Sequence, residues 1–379
     1  MKKRLNRFIS TPLFCIALSF ITSNANASAE VKTTMEKAAE ELSTLIPLAY
    51  SDKAFRDEKE RARIQQHLDS LDALFTKKAS LLGSSSDTAW ITLKVLEEHL
   101  SETKDLYAAG YFAMSQYLLT STPAICATCH LQDSAHSSLK ANLDRANFAN
   151  DYSYAEYLFT IRNYDQASQF YLKHLQDPEV QNSRFRFLKP LERLLTIELG
   201  IRHSIPKAKT LLEKHHNKTL PIEIQKVISD WQSGLSAISG AGSKDSKTLE
   251  QYFNEWFSNA PNTQHEFIID EQKRPQAIWL RAKLFDALRV SDNDSSTASV
   301  LYMLAVLDRV LGQSEPYSFA NLYLKQCATR YPATKAARKC LDEYKNHLSF
   351  YYGGSAGEAV PEDLVNEYLE MKKRVDEAQ

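Results

Sequence analysis

Apolar residues in this chain recur at three- and four-residue spacing almost wherever they cluster, and that habit removes most folds from consideration. Met35, Ala38, Ala39, Leu42, Leu45, Ile46 and Ala49 make one stripe. Ile64, His67, Leu68, Leu71, Leu74 and Phe75 make a second, and Trp90, Leu93, Leu96, Leu100 and Leu106 a third. The alternation that a half-buried strand needs is hard to find, and ten glycines and twelve prolines interrupt 379 residues. The expected fold class is all-α.

The length exceeds that of one ordinary domain, so two are expected. In 28–147, "LLGSSSD" ends the second helix, Ser86 or Asp87 caps the third, and Gly110 marks the next turn. A short fourth helix from Tyr111 to Leu119 is expected to stop at Pro123, completing an up-down-up-down bundle of four. In 148–352 the pattern changes. "YAEYLFTIRNYDQASQFYLKHLQDP" resembles a tetratricopeptide repeat, with Tyr164, Ala167, Tyr171 and Pro178 at its aromatic, small, aromatic and closing positions. Weaker hairpins follow at "SIPKAKTLLEKHHNKTLP", at 276–311, and at "SFANLYLKQCATRYPATKAARKCLDEY", where Tyr331-Pro332 separates two helices. Residues 239–247, "SGAGSKDSK", read as an exposed loop, and 353–379 as a helical tail.

The N-terminus begins with Lys2, Lys3, Arg4 and Arg7, continues with an apolar run from Phe8 to Ile21, and reaches Ala25-Asn26-Ala27. That order is expected of a secretory signal peptide spanning 1–27, which implies a periplasmic, oxidising destination. Cleavage would take the formal charge from −1 to −5, too mild for a nucleic-acid partner. It would also remove Cys15, leaving the pairs Cys126/Cys129 and Cys327/Cys340. No later apolar run is long enough to span a bilayer. Cys327 and Cys340 flank the turn at Tyr331-Pro332 and are expected to form a disulfide, the alternative being two buried thiols.

"TSTPAICATCHLQDSAH" carries Cys126, Cys129 and His130. A thioredoxin-type dithiol would need a sheet around it. Structural zinc would need a second close ligand pair, and His136 alone does not supply one. A plain disulfide leaves His130 unexplained. Covalent haem uses all three residues: the thiols of Cys126 and Cys129 form thioethers and His130 ligates the iron. With "LYAAGYFAMSQYLLTSTPAICATCH", residues 30–140 resemble the class II c-type cytochromes, the four-helix bundles related to cytochrome c prime. That resemblance implies one haem c per chain, with His130 as proximal ligand. After the motif, "HLQDSAH" departs from the family's usual aromatic and basic continuation.

For the opposite iron face, the up-down topology brings the start of the first helix to the haem end. Met35 is the best-placed candidate, the alternative being a core methionine beside an open iron. By the helical rise, His67 and His99 lie roughly 22 and 18 Å from that end, and Met114 lies at the other. His67 reads as a hydrogen-bonded core histidine, and Phe75 and Trp90 as packing at the haem end. No nucleophile–base pair, phosphate loop or zinc-protease motif is found, so no enzyme activity is expected, and scattered Asp, Glu and His read as solvated faces. The sequence thus points to a one-electron carrier whose helical repeats dock a redox partner or another protein. Its rivals are a five-coordinate sensor or carrier of a diatomic ligand, and an interaction protein with a mainly structural haem.

Overall fold

The computed structural model describes residues 33–76, 87–130, 143–241, 248–257, 270–291, 293–312, 318–354 and 357–379, without the side chains at 87–92, 127–130, 239–241, 354 and 358. The signal segment, His136 and the side chain of Trp90 lie outside the described residues. The described chain is helical apart from one antiparallel ladder, Gly353 opposite Glu358 and Gly354 opposite Gly357. Among the described residues no helix is long and apolar enough to cross a membrane.

α1 (33–49) buries Ala38, Leu42, Leu45, Ile46 and Ala49, the residues its spacing picks out. Ser51 accepts a hydrogen bond from the Ala54 amide and opens the single turn α2 (Asp52–Phe55). α3 (Arg61–Phe75) follows, with Ile64, Leu68, Leu71 and Phe75 buried. α4 (Asp87–Ala108) reverses into α5 (Phe112–His130) at Gly110, whose φ of 83° suits a residue without a Cβ. These helices pack on one another through named bonds. His99 Nε2 donates to the Leu118 carbonyl and Ser115 Oγ to the Thr103 carbonyl, both at 2.8 Å, which sets α4 and α5 antiparallel. Gln116 Nε2 donates to the Ala49 carbonyl at 2.6 Å, tying α5 to the end of α1.

Two details of this first half differ from the sequence expectation. The fourth helix does not stop at Pro123 but runs unbroken to His130. Proline costs a helix interior about 3 kcal/mol. Here Leu119, Ile125 and Cys126 bury on both sides of Pro123, and tertiary packing overrides the local cost. Secondly, the ends of α3 and α4 are not level. Asp72, near the end of α3, meets Lys104, near the end of α4, at 2.6 Å. Lys104 is about 21 Å along the helix from Trp90, so Phe75 and Trp90 do not share one end of the bundle. In the first half of α4, Lys94 meets Glu367 from the C-terminal part of the chain.

After a 3-10 turn at Arg145–Asn147, Asn150 caps α6 (Asp151–Thr160), which pairs with α7 (Tyr164–His174) as a hairpin. Ala167 and Tyr171, its small and aromatic positions, are fully buried. α8 (Pro178–Gln181), α9 (Arg184–Thr196), a π-helical turn at Ile197–Ile201 and α10 (Ile205–His215) follow. α11 (Ile222–Ala241) continues through Gly240, correcting the loop expected from 239, and 242–247 lie outside the described residues. Gly234 is needed on α11, because a Cβ there would fall 2.1 Å from the Gln272 carbonyl oxygen. α12 (Leu249–Phe257) precedes two hairpins, α13 (Lys273–Val290) with α14 (Asp294–Leu311), and α15 (Ala320–Arg330) with α16 (Lys335–Tyr352). Thr334 caps α16 by accepting from the Ala337 amide, so the second helix begins two residues later than Ala333. The Cys327–Cys340 disulfide joins this pair, with Cα atoms 6.3 Å apart. α17 (Glu362–Ala378) is the expected tail helix.

The two halves share one hydrophobic core. Tyr50, just past α1, packs its ring 5.8 Å from Phe148, and its carbonyl accepts from Ser153 Oγ at 3.4 Å. At the other end of the chain α15 packs against α4, and Lys94 of α4 stands 3.9 Å from Glu367 of α17.

Candidate functional site

The motif residues sit at the end of a helix held firmly upstream. Leu118, Leu119, Ser121, Thr122, Pro123, Ile125 and Cys126 are all buried, so α5 is fixed by its neighbours through its last turns. The Leu118 carbonyl gathers three side-chain donors: His99 Nε2 at 2.8 Å, Ser121 Oγ at 2.7 Å and Thr122 Oγ1 at 3.1 Å. Meeting a carbonyl requires the proton on His99 Nε2. Burial pushes the His99 pKa down to about 4, with the bond to Leu118 acting against it, so this ring is a neutral brace.

Cys126 is 8% exposed and belongs to the shared core. Positions 129 and 130 follow it on the same unbroken helix, three and four residues on, which is the spacing that shares one helical face. The side chains of Cys129 and His130 lie outside the described residues. Two cysteines and a histidine, the residue types a covalently held haem uses, thus follow one another along one face of a single helix.

The candidates for the opposite iron face separate clearly. Met35, in the first turn of α1, is half-buried and packs against the core. His67 is engaged elsewhere, its Nδ1 lying 2.6 Å from Glu41 Oε2 on α1. His99 is the brace just described. Met114 is 54% exposed, in a row with exposed Tyr111 and Tyr117 on α5. Phe75 is buried at the end of α3. Among the described residues no three His, Cys, Asp or Glu converge as ligands for a bare metal ion.

The sequence reading missed a set of buried charges, because it took scattered acids for solvated faces. Arg193 grips Glu156 with Nε to Oε1 at 3.0 Å and Nη2 to Oε2 at 2.9 Å, and Tyr171 donates its hydroxyl to the same carboxylate at 2.5 Å. Burial alone raises the Glu156 pKa, but the Arg193 charge and hydrogen bonds, with Tyr171, outweigh it and hold the carboxyl below its ordinary range. Arg274 reaches Glu192 at 2.5 Å, Arg281 reaches Asp308 at 2.9 Å, and Arg309 pairs with Glu343. A signal existed: Asp308 in "LYMLAVLDRVL" and Glu192-Arg193 in "FLKPLERLLT" stand inside apolar runs. Each pair joins two different helices, within one hairpin for Arg281–Asp308 and between helices further apart in sequence for the other three.

No family model, no curated protein and no solved structure matches this chain.

Proposed function

We propose that this protein is an exported c-type cytochrome that carries one electron, with its helical hairpins holding a partner protein. The observation that carries the reading is Cys126-Ala127-Thr128-Cys129-His130 closing one continuous, well-braced helix. The thiols of Cys126 and Cys129 would hold the haem by thioethers, and His130 would ligate its iron. When bound, that group supplies a reversible one-electron couple. The chain's own part is positional. His99, Ser115 and Gln116 fix α5 against α4 and α1, so the motif is presented on a rigid element, and the buried surroundings of Cys126 exclude water.

Met35 is the proposed sixth ligand. The Gln116–Ala49 bond joins α5 to the end of α1. From that contact His130 lies fourteen residues along α5 and Met35 fourteen back along α1, about 21 Å on either axis. An antiparallel course of the two helices would bring positions 35 and 130 level. The successive hairpins α6–α7, α13–α14 and α15–α16 support a tetratricopeptide-like scaffold, whose usual role is to dock protein segments.

The deciding experiment is expression with c-type maturation machinery, followed by intact mass and acid–acetone extraction. One haem mass above the cleaved polypeptide, retained through extraction, is expected. A mature protein carrying no added haem mass would sink the proposal.

A further inference from the structure

α4 has a second long face besides the one that buries Leu96, Leu100, Thr103 and Tyr107. Lys94, Glu97, Glu98, Glu102 and Asp105 recur along it at helical spacing, and with Tyr111, just past the Gly110 turn, they line a groove of about 810 Å³. From Lys94 to Leu106 the groove follows about 18 Å of helix, room for about three turns of a second helix laid alongside. Leu106 and Ala109 lie at its Tyr111 end, and the methylene stems of the charged residues add to its apolar wall.

One sign of charge dominates that wall. Four carboxylates stand against one ammonium, and the ammonium is shared: Lys94 Nζ lies 3.6 Å from Glu98 and 3.9 Å from Glu367. Asp105 lies 3.7 Å from Lys104, whose shorter bond, 2.6 Å, goes to Asp72. Glu102 makes no ion pair and no side-chain hydrogen bond among the described residues. Glu98 and Glu102 are neighbours at four-residue spacing, Glu102 and Asp105 at three, and like charges so placed weaken a helix. The stability of α4 therefore does not account for this row of acids.

At Tyr111 the groove meets an apolar row left in water. Tyr111 is 66% exposed, Met114 54% and Tyr117 47%, and their three-residue spacing keeps them on one side of α5. Single exposed apolar residues are ordinary, whereas a continuous row beside a charged groove marks a contact surface. Tyrosine and methionine are also the side chains that anchor protein interfaces, with charges set around them.

We propose that this surface docks a basic amphipathic segment of a partner protein, its lysines or arginines along the α4 carboxylates and an apolar side chain against Tyr111 and Met114. Charge complementarity selects this occupant. Cations laid along the groove relieve the like-charge neighbours, and the negative field steers a basic partner to the face. A second copy of this chain, formally negative itself, would meet the groove without that attraction. The proposal rests on the reading of this chain as one that holds a partner protein, and is independent of the haem: the haem mass and the docking assay are separate results.

The test titrates the full mature protein against a fluorescein-labelled lysine–leucine peptide of helical periodicity, read by anisotropy, with the glutamate–leucine peptide of the same pattern as control. Wild type should bind the basic peptide saturably, less tightly as salt rises, and should not bind the acidic one. Glu98→Gln/Glu102→Gln/Asp105→Asn removes three groove charges from exposed positions, and should weaken binding about tenfold. Tyr111→Ala/Met114→Ala should weaken it by a similar factor while leaving most of the salt dependence. Glu179→Gln/Glu213→Gln/Glu377→Gln removes as many exposed acids elsewhere and should leave binding unchanged. Absence of saturable binding, undiminished binding in either groove variant, or an equal loss in the remote variant overturns the assignment. So does a wild-type dimer in sedimentation that the groove variants dissociate, which would give the face to a second copy.

Discussion

Replacing Arg193 by methionine tests whether the buried charges hold the hairpins together. Arg193 is buried, makes two charged hydrogen bonds to Glu156, and stacks its guanidinium 4.6 Å from the Phe159 ring centroid. Arg193→Met keeps most of the volume and leaves Glu156 with the Tyr171 hydroxyl alone. Breaking one side of a buried pair costs about 3–5 kcal/mol, because the remaining charge has lost its compensation. The loss must depend on pH. In wild type the folded pKa of Glu156 is depressed, so its stabilisation is present above the unfolded value of about 4.5 and fades only below it. In the variant, burial acts unopposed by Arg193 and raises the carboxyl pKa. The destabilisation is then full at neutral pH and shrinks as acidification protonates Glu156. Urea unfolding followed by far-UV circular dichroism at pH 7 and pH 5 reads both quantities. The double variant Arg193→Met/Glu156→Leu should recover most of the loss. A deficit under about 1 kcal/mol at pH 7, or one equal at both pH values, would refute the reasoning.

Acid should also act through His99. Its folded pKa of about 4 lies below the ordinary value, so the stability held by the neutral ring is complete above about pH 6.5 and is lost as pH falls towards 4. That amounts to roughly 3 kcal/mol at most, and His99→Gln should flatten the corresponding slope of melting temperature against pH; an unchanged slope would remove His99 from the account. Reducing the Cys327–Cys340 disulfide, which closes a separation of 13 residues, should destabilise by about 3 kcal/mol in the chain-entropy picture. Two alkylatable thiols there in the unreduced, denatured protein would contradict the bond. Met35→Ala should turn a low-spin six-coordinate absorption spectrum into a high-spin one. A wild type already high-spin would rule Met35 out as ligand.

Helix identity was legible because it rests on apolar spacing, a local signal: the stripes at Ala38–Ala49 and Ile64–Phe75 are the faces that bury. Gly110 was legible for the same reason, since a turn that needs positive φ advertises itself by residue type. Pro123 misled because its cost is local while its compensation is tertiary, in the burial of Leu119, Ile125 and Cys126 around it. The Cys126–His130 spacing could be read from the chain, and an unbroken helix through it could not. The buried pairs were hidden more deeply. Nothing in Glu156 or Arg193 alone names the partner 37 residues off, since pairing is decided by how hairpins stack.

The position of α4 decides how the proposed carrier and scaffold can influence each other. One side of α4 holds α5 through His99 and Thr103, and so braces the helix that ends in Cys126, Cys129 and His130. Another side is packed by α15, which carries Cys327, and its Lys94 faces Glu367 of α17. Glu367 in turn binds Lys325 of α15 at 2.8 Å and accepts from the Tyr344 hydroxyl of α16 at 3.4 Å. Because α3 ends against Lys104, the early part of α4 runs past it, and there Lys94 meets Glu367 of the C-terminal group. The helices that would dock a partner thus form one wall of the bundle that would carry the electron, so a partner gripping α15–α17 would act on α4 without touching the motif.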